Sequence, residues 1–250
     1  NPAGFLCQSP NAFGVLEDLA AISKLCKTED VITAISWNPI VSGLLKPPGH
    51  VGFDIVTGEG QALGNPLFAG GPGLGLFSTR HAYRSFLPGR LVGKVLDVKG
   101  TPVYALVSEN REQHVAREKA TSNICSNQAH NAMRAAVYLS FVGKHGFKDV
   151  ATLSTQKAHY LAGLLTKIPG VSLTFSGPFF NEFALTMPCP VQRVIKKLEK
   201  EGLFPGIRVH SGHKQESLLV AVTEKRSSEQ LNDFVSALYS LITNEMEENR

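Results

Sequence analysis

The sequence predicts an α/β fold with a mainly parallel sheet, followed by a second, smaller α+β unit. Three observations carry that expectation. Short β-branched apolar runs alternate with helix-period segments from Gly4 to Ser78. A glycine-rich stretch, residues 58–75 (GEGQALGNPLFAGGPGLG), follows one of those runs, at the strand end where α/β sheets place ligands. Beyond Gly143 the pattern changes to closely spaced helices and strands.

Taken in order, residues 4–8 (GFLCQ) read as a strand. A helix follows, with Glu17 and Asp18 in its first turn, Asn11 or its neighbours as cap, and Val15, Leu19, Ile22 and Cys26 on one face. Residues 31–35 (VITAI) are a β-branched strand that ends at Trp37, Asn38 and Pro39. Pro47, Pro48 and Gly49 mark a turn-rich segment before a strand at 53–56, and residues 74–78 leave the glycine-rich stretch as another strand. Residues 127–142 form a long helix of small and apolar side chains (Ala129, Met133, Ala136, Val137, Phe141), stopped by Gly143. The second unit opens with a helix over about 150–168, closed by Pro169 and Gly170. Strands at 171–175 and 182–187, a helix begun by Pro190 and stopped by Gly202, and a strand at 218–222 come next. Ser227 and Gln230 have capping-box spacing before a last helix whose stripe is Leu231, Phe234, Val235, Leu238, Leu241 and Ile242.

Composition narrows the function. With 43% hydrophobic and 18% charged residues the chain has ample material for a core. Its net charge of +4 is dispersed, and the dense cluster at 111–119 mixes signs, which argues against nucleic acid as partner. No apolar run reaches the ~18 residues of a membrane span. Cys7, Cys26, Cys125 and Cys189 lie far apart without a C-x-x-C, as expected of free thiols in a reducing cytoplasm. The chain begins without methionine and almost at once enters a strand, so it reads as the carboxyl-terminal part of a longer protein.

The chemistry is defined as much by lack as by presence. Glycines let a backbone approach a phosphate, yet no lysine occurs between Lys46 and Lys94. The phosphate-loop pattern and a local Schiff-base amine are both missing there. Residues 111–128 (REQHVAREKATSNICSNQ) gather Arg111, His114, Arg117, Lys119, Ser122 and Asn123 before the long helix. Such a run suits either a salt-bridged surface or a polar site at a helix start. His210 and His213 have no acidic or thiol ligand beside them in sequence, so no metal is expected. No G-x-S-x-G elbow supports a serine hydrolase.

Several segments together resemble one family. They are residues 9–18 (SPNAFGVLED), 44–49 (LLKPPG), 54–61 (DIVTGEGQ), 64–67 (GNPL), 70–72 (GGP), 88–90 (PGR), 111–114 (REQH) and 117–125 (REKATSNIC). Residues 177–183 (GPFFNEF) and 221–226 (AVTEKR) extend the likeness to the smaller unit. In order and spacing they are similar to subunit 1 of the two-chain bacterial glycine decarboxylase, the P-protein of the glycine cleavage system, over essentially the whole chain.

The resemblance implies a fold-type-I pyridoxal-phosphate-transferase-like architecture. It divides the chain into the carboxyl-terminal part of the large domain (1–110), an interface segment and connecting helix (111–143), and a small α+β domain (144–250). Catalytic chains of that architecture pair an acid with the pyridinium nitrogen and a lysine with the cofactor aldehyde. The matching positions here are Asn38 and Ala62, which do neither. Pyridoxal phosphate is then expected on a partner, subunit 2, two of each chain assembling. The complex would decarboxylate glycine and pass the aminomethyl group to the lipoyl arm of the H-protein. Asn65, Gly70 and Gly71 are the residues expected to reach the partner's cofactor, and Arg111, His114, Arg117, Lys119, Ser122 and Asn123 to line the interface. Two rivals stand beside this reading: a structural or regulatory pseudoenzyme subunit, and a stand-alone aminotransferase-like pyridoxal enzyme.

Overall fold

Apolar, β-branched runs from the first third of the chain pair into one sheet. In the computed structural model, which describes residues 2–87, 91–107, 113–120, 128–211 and 215–248, β1 (Gly4–Ser9), β2 (Ile32–Trp37) and β3 (Ile55–Glu59) run parallel. β4 (Gly75–Thr79) pairs antiparallel with β3 and completes the order β1–β2–β3–β4. The register places Cys7 beside Ile35 and Ile35 beside Val56. Ile35, Trp37, Val41, Phe53 and Leu74 form the core on this sheet.

The crossover between β1 and β2 is α1 (Leu19–Thr28), and here expectation and structure part by one turn. Asp18 lies outside the helix as its cap, its side chain accepting from Ala21 N at 3.0 Å. Asn11 instead folds the preceding turn, its Oδ1 accepting from Phe13 N at 2.9 Å and Val15 N at 3.1 Å. Val15 is therefore not on the helical face; it forms an isolated bridge with Phe179. Before β3, the short α2 (Pro48–Val51) sets the entry to that strand through Gly52, which has φ 113°.

Between the two units stands a hairpin that the sequence reading did not foresee. β5 (Leu91–Leu96) and β6 (Pro102–Val107) pair only with each other among the described residues. The signal was local: Asp97 Oδ1 accepts from Lys99 N and Thr101 N, both at 2.8 Å, and Gly100 takes φ 79°. After α3 (Gln113–Ala116) comes α4 (Ala129–Leu165), the two helices expected from sequence, meeting at Gly143 without a connecting loop. Gly143 does leave the helical region (φ 59°, ψ −172°), but the helix resumes immediately after it. Ala135 and Ala151 of α4 pack in the first core, and Ala158, Leu161, Ala162 and Leu165 in the second.

That second core lies on an antiparallel sheet ordered β7–β8–β10–β9. Its strands are β7 (Ser172–Leu173), β8 (Glu182–Thr186), β9 (Ile207–Ser211) and β10 (Gln215–Ala221). β7 is shorter than foreseen, and β9 was missed although Ile207 and Val209 alternate with polar residues. α5 (Val191–Lys200) and α6 (Ser228–Glu248) cover it. The capping box forms as read: Ser227 Oγ accepts from Gln230 N and Gln230 Oε1 accepts from Ser227 N, both at 3.1 Å. The two helices are tied by buried Glu245, which binds Arg193 at 2.8 Å and Lys197 at 2.6 Å. No helix among the described residues is long and apolar enough to cross a membrane.

Candidate functional site

The carboxyl ends of β1, β2 and β3 bring Ser9, Asn38 and the start of the glycine-rich loop to one edge of the sheet. Asn38 is occupied there. Its Oδ1 accepts from Ile40 N at 3.0 Å and caps the 3-10 turn Pro39–Gly43. An amide in that role carries no charge with which to hold a pyridinium proton. After β3, Glu59 Oε1 accepts from Gln61 N at 2.8 Å and Leu74 N at 2.7 Å, clamping the two ends of the loop together. Ala62 is exposed on the turn that follows. Lys46 lies beyond the 3-10 turn and Lys94 on the detached β5, so neither replaces a lysine at that turn. No lysine stands at that turn to hold pyridoxal phosphate as an imine.

The loop itself is seated on α4. Asn65 Nδ2 donates to Asn131 O at 3.3 Å, and Asn131 Nδ2 lies 3.1 Å from both Pro72 O and Gly73 O. Arg134, one turn on, places its guanidinium over the Phe68 ring at 5.7 Å. Tyr138, one turn further, packs on Gly64, where a Cβ would come within 2.6 Å of the Tyr138 Cβ. Burial, and then the nearby Glu224 carboxylate, push the Tyr138 phenol above its ordinary value, so it stays neutral at pH 7.

Between these anchors the tip turns tightly. Phe68, Ala69, Gly70 and Gly71 all have positive φ, 48°, 54°, 115° and 139°. For the two residues with side chains this conformation costs about 1–2 kcal/mol each. The N–H groups of Gly70 and Gly71 donate to Leu67 O at 3.0 and 3.1 Å, so they are held within the turn. A Cβ on Gly70 would meet nothing within 4 Å, which leaves the tip open on that side.

Segments far apart in sequence converge beside this seat. Leu16 N donates to Pro178 O at 2.8 Å, and the rings of Phe13 and Phe175 lie 4.9 Å apart. His159 of α4 stacks on Phe179 at 3.9 Å, with its Nε2 3.0 Å from Phe179 O. Gly14 permits the approach, since a Cβ there would fall 2.1 Å from Glu182 O. Burial pushes the Glu182 carboxyl up. Asn181 Nδ2 donates to Val222 O at 3.2 Å, and the next turn docks on α4 through Ser154 Oγ, which accepts from Glu224 N at 3.1 Å. Stretches 9–18, 64–67, 177–183 and 221–226 thus build one joint between loop, long helix and small sheet.

Of the interface residues expected from sequence, Arg117 and Lys119 lie exposed in the 3-10 turn Arg117–Lys119. His114 is in α3, its side chain outside the described residues, as are Arg111, Ser122 and Asn123. Sequence reasoning missed Asn131, Arg134 and Tyr138. Their spacing along α4 was the available signal, three non-aliphatic residues on one helical face. Among the described residues no group of three or more His, Cys, Asp or Glu side chains is placed to hold a metal. A cleft of about 590 Å³ between Trp37, Pro48, His50, Thr57 and Phe77 has no acid–base pair among its lining residues.

The family model described as glycine cleavage system P-protein matches residues 1–238. A protein of Chlorobaculum parvum named as a probable glycine dehydrogenase (decarboxylating) subunit 1 is 46% identical over 239 residues, 96% of this chain and 54% of that protein. The chain thus spans about half the length of the curated relatives it matches. Among solved structures, an inhibitor-bound glycine decarboxylase (P-protein) of the glycine cleavage system superposes with TM-score 0.90 at 37% identity, over 94% of this chain and 54% of that one. The cystine C–S lyase C-DES, solved with glycine covalently linked to its pyridoxal phosphate, shares the fold at 15% identity, TM-score 0.62, 94% of this chain and 59% of that one.

Proposed function

The chain belongs to the glycine cleavage system P-protein family, and from that premise we propose that it is the non-cofactor-holding subunit of a two-chain glycine decarboxylase. The single observation that carries this is Ala62, exposed on the turn after β3, in a stretch with no lysine from Pro47 to Gly93. Asn38, neutral and engaged as a cap, points the same way. Pyridoxal phosphate, which supplies the electron sink for decarboxylation, belongs in this reading to subunit 2, and the aminomethyl group leaves on the lipoyl arm of the H-protein in the cytoplasm.

This chain's own contribution is to shape the partner's site from outside. The Asn65–Gly71 tip is the part offered across the interface, together with the stretch from Arg111 to Asn123. Exposed Arg117 and Lys119 supply positive charge suited to an anionic partner surface or carrier. We assign residues 1–110 to the large domain, 111–143 to the interface segment and connecting helix, and 144–250 to the small domain. The inward donation of the Gly70 and Gly71 amides to Leu67 O favours a second reading, a purely scaffolding subunit.

The first test is borohydride reduction of the assembled complex in pyridoxal phosphate, followed by peptide mapping. The reduced adduct is expected on subunit 2 alone; one equivalent on any lysine of this chain overturns the assignment. Removing this subunit from the complex separates the two readings. Loss of turnover with retained cofactor absorbance supports a part in the working site, whereas unchanged turnover supports scaffolding.

A further inference from the structure

Both limbs of the glycine-rich loop end on a single residue of α4. On the carboxyl limb, Asn131 Nδ2 reaches two successive carbonyls, Pro72 O and Gly73 O, each at 3.1 Å. On the amino limb, Asn65 Nδ2 reaches the main-chain oxygen of the same Asn131 at 3.3 Å. Both asparagines lie in the interior, 6% and 4% exposed. Above the Glu59 clamp at the base of the loop, the limbs are therefore spaced by one residue near the start of a helix that packs in two cores.

The chemistry explains why that residue is an asparagine. A primary amide presents two N–H donors from one planar head, which suits two neighbouring carbonyls. A carboxylate of the same size would set oxygen against oxygen there, and alanine would leave both carbonyls without the amide. Asn65 has a fixed orientation for the same reason, because turning its amide over would face Oδ1 to Asn131 O. Its Oδ1 then stays buried with no hydrogen-bond partner among the described residues, an acceptor left over on the loop. Four successive positive φ values lie between the two anchors, two of them at Phe68 and Ala69. A tip that carries such strain is held by its own bonds to Leu67 O and by the fixing of its limbs.

We infer that Asn131 is a positioning residue of the glycine-rich loop, setting the spacing of its limbs above the Glu59 clamp and through it the placing of the tip at residues 68–71. That the tip in turn shapes the partner's cofactor site rests on the function proposed above; the anchoring does not.

The test uses the full chain assembled with subunit 2, as Asn131→Ala and Asn131→Asp. Amide hydrogen exchange over residues 60–75 reads the anchor, and titration of the cofactor-free complex with pyridoxal phosphate, followed by its absorption band, reads the consequence. Both variants are expected to speed exchange across the loop while leaving α5 and α6 unchanged, and to weaken cofactor binding by about tenfold, the effect of one or two lost hydrogen bonds. Unchanged loop exchange in the assembled variants overturns the inference. Faster exchange with a wild-type cofactor affinity and band upholds the anchor and overturns the tip's role at the partner's site. Should neither variant assemble, Asn65→Ala removes one bond without touching α4. It is expected to free residues 61–67, and wild-type exchange there also overturns the inference.

Discussion

The two halves of the molecule differ in how much apolar surface they leave bare, although Phe204 and Ile207 of the second are also exposed. In the second, α4, α5 and α6 close over the β7–β8–β10–β9 sheet, and Leu165, Leu198, Leu218, Leu238 and Ile242 retain no exposure. In the first, a well-packed centre at Ile35, Val41 and Phe53 sits beside bare hydrophobic groups. Leu6 of β1 is 74% exposed, Leu96 of the hairpin 70%, and Met133, Val137 and Phe141 form an open i, i+4, i+8 stripe on α4. One half completes its own core; the other carries the candidate site and leaves surface of the kind that assemblies cover.

The sharpest way to break that contrast is to truncate one leucine in each half. Leu238→Ala removes a side chain with no exposure and is expected to cost about 2–5 kcal/mol in denaturant unfolding. Leu96→Ala, on the exposed hairpin, is expected to fall within about 0.5 kcal/mol of wild type. Equal costs would show that the hairpin is as well packed as the small core.

Two carboxyls sharpen the contrast by pH. Glu245 sits below the ordinary value of 4.5, first because Lys197 and then Arg193 hydrogen-bond it. A folded-state pKa below the unfolded one means stabilisation that is complete above the ordinary carboxylate range and is lost as pH falls through the lowered value. Glu245→Gln is expected to cost about 1–3 kcal/mol at pH 7 and to flatten the acid limb of stability, measured by denaturant titrations from pH 7 downward. An unchanged acid limb would rule out Glu245 as its source.

Glu182, at the joint between the halves, has the opposite sign. Burial alone raises its carboxyl, so the folded state holds the proton more tightly than the unfolded chain. Its contribution improves as pH falls through the raised value and is unfavourable above it. Glu182→Gln is expected to leave stability at pH 7 unchanged or raise it by up to about 1 kcal/mol. A clear loss in the same titrations would mean that the charge at this joint has a favourable partner.

Elements whose signals are local were the ones legible in sequence. The Ser227–Gln230 box needs only its own turn, and Leu231, Leu238, Leu241 and Ile242 needed only helical spacing to be placed in the core. Val15 was misplaced because its fate is decided by Phe179, across the chain. Gly143 was correctly a break, yet helix length is set by packing on both sides of it, with Ala135 before and Ala151 after in the same core. The candidate site divides the same way. The glycine-rich loop was visible, and Asn38 and Ala62 acquired meaning through family likeness. Asn131 was hidden because its partners, Asn65, Pro72 and Gly73, are more than fifty residues away.

Gly143 makes α4 two rods joined by one peptide. The forward rod bears Asn131, Arg134 and Tyr138 against the loop; the rear rod bears Ala158, Leu161 and Leu165 inside the small unit. At φ 59° and ψ −172° the joint lies in a region open essentially to glycine alone, although empty space surrounds the position a Cβ would take. The restriction comes from the local backbone rather than from packing neighbours. A side chain at that point would favour the α region and straight rods, and that preference would act against the contacts of residues 13–16 with residues 175–182. The relative attitude of the two halves is thereby set by that torsion together with the contacts of Gly14 and Leu16 with Glu182 and Pro178.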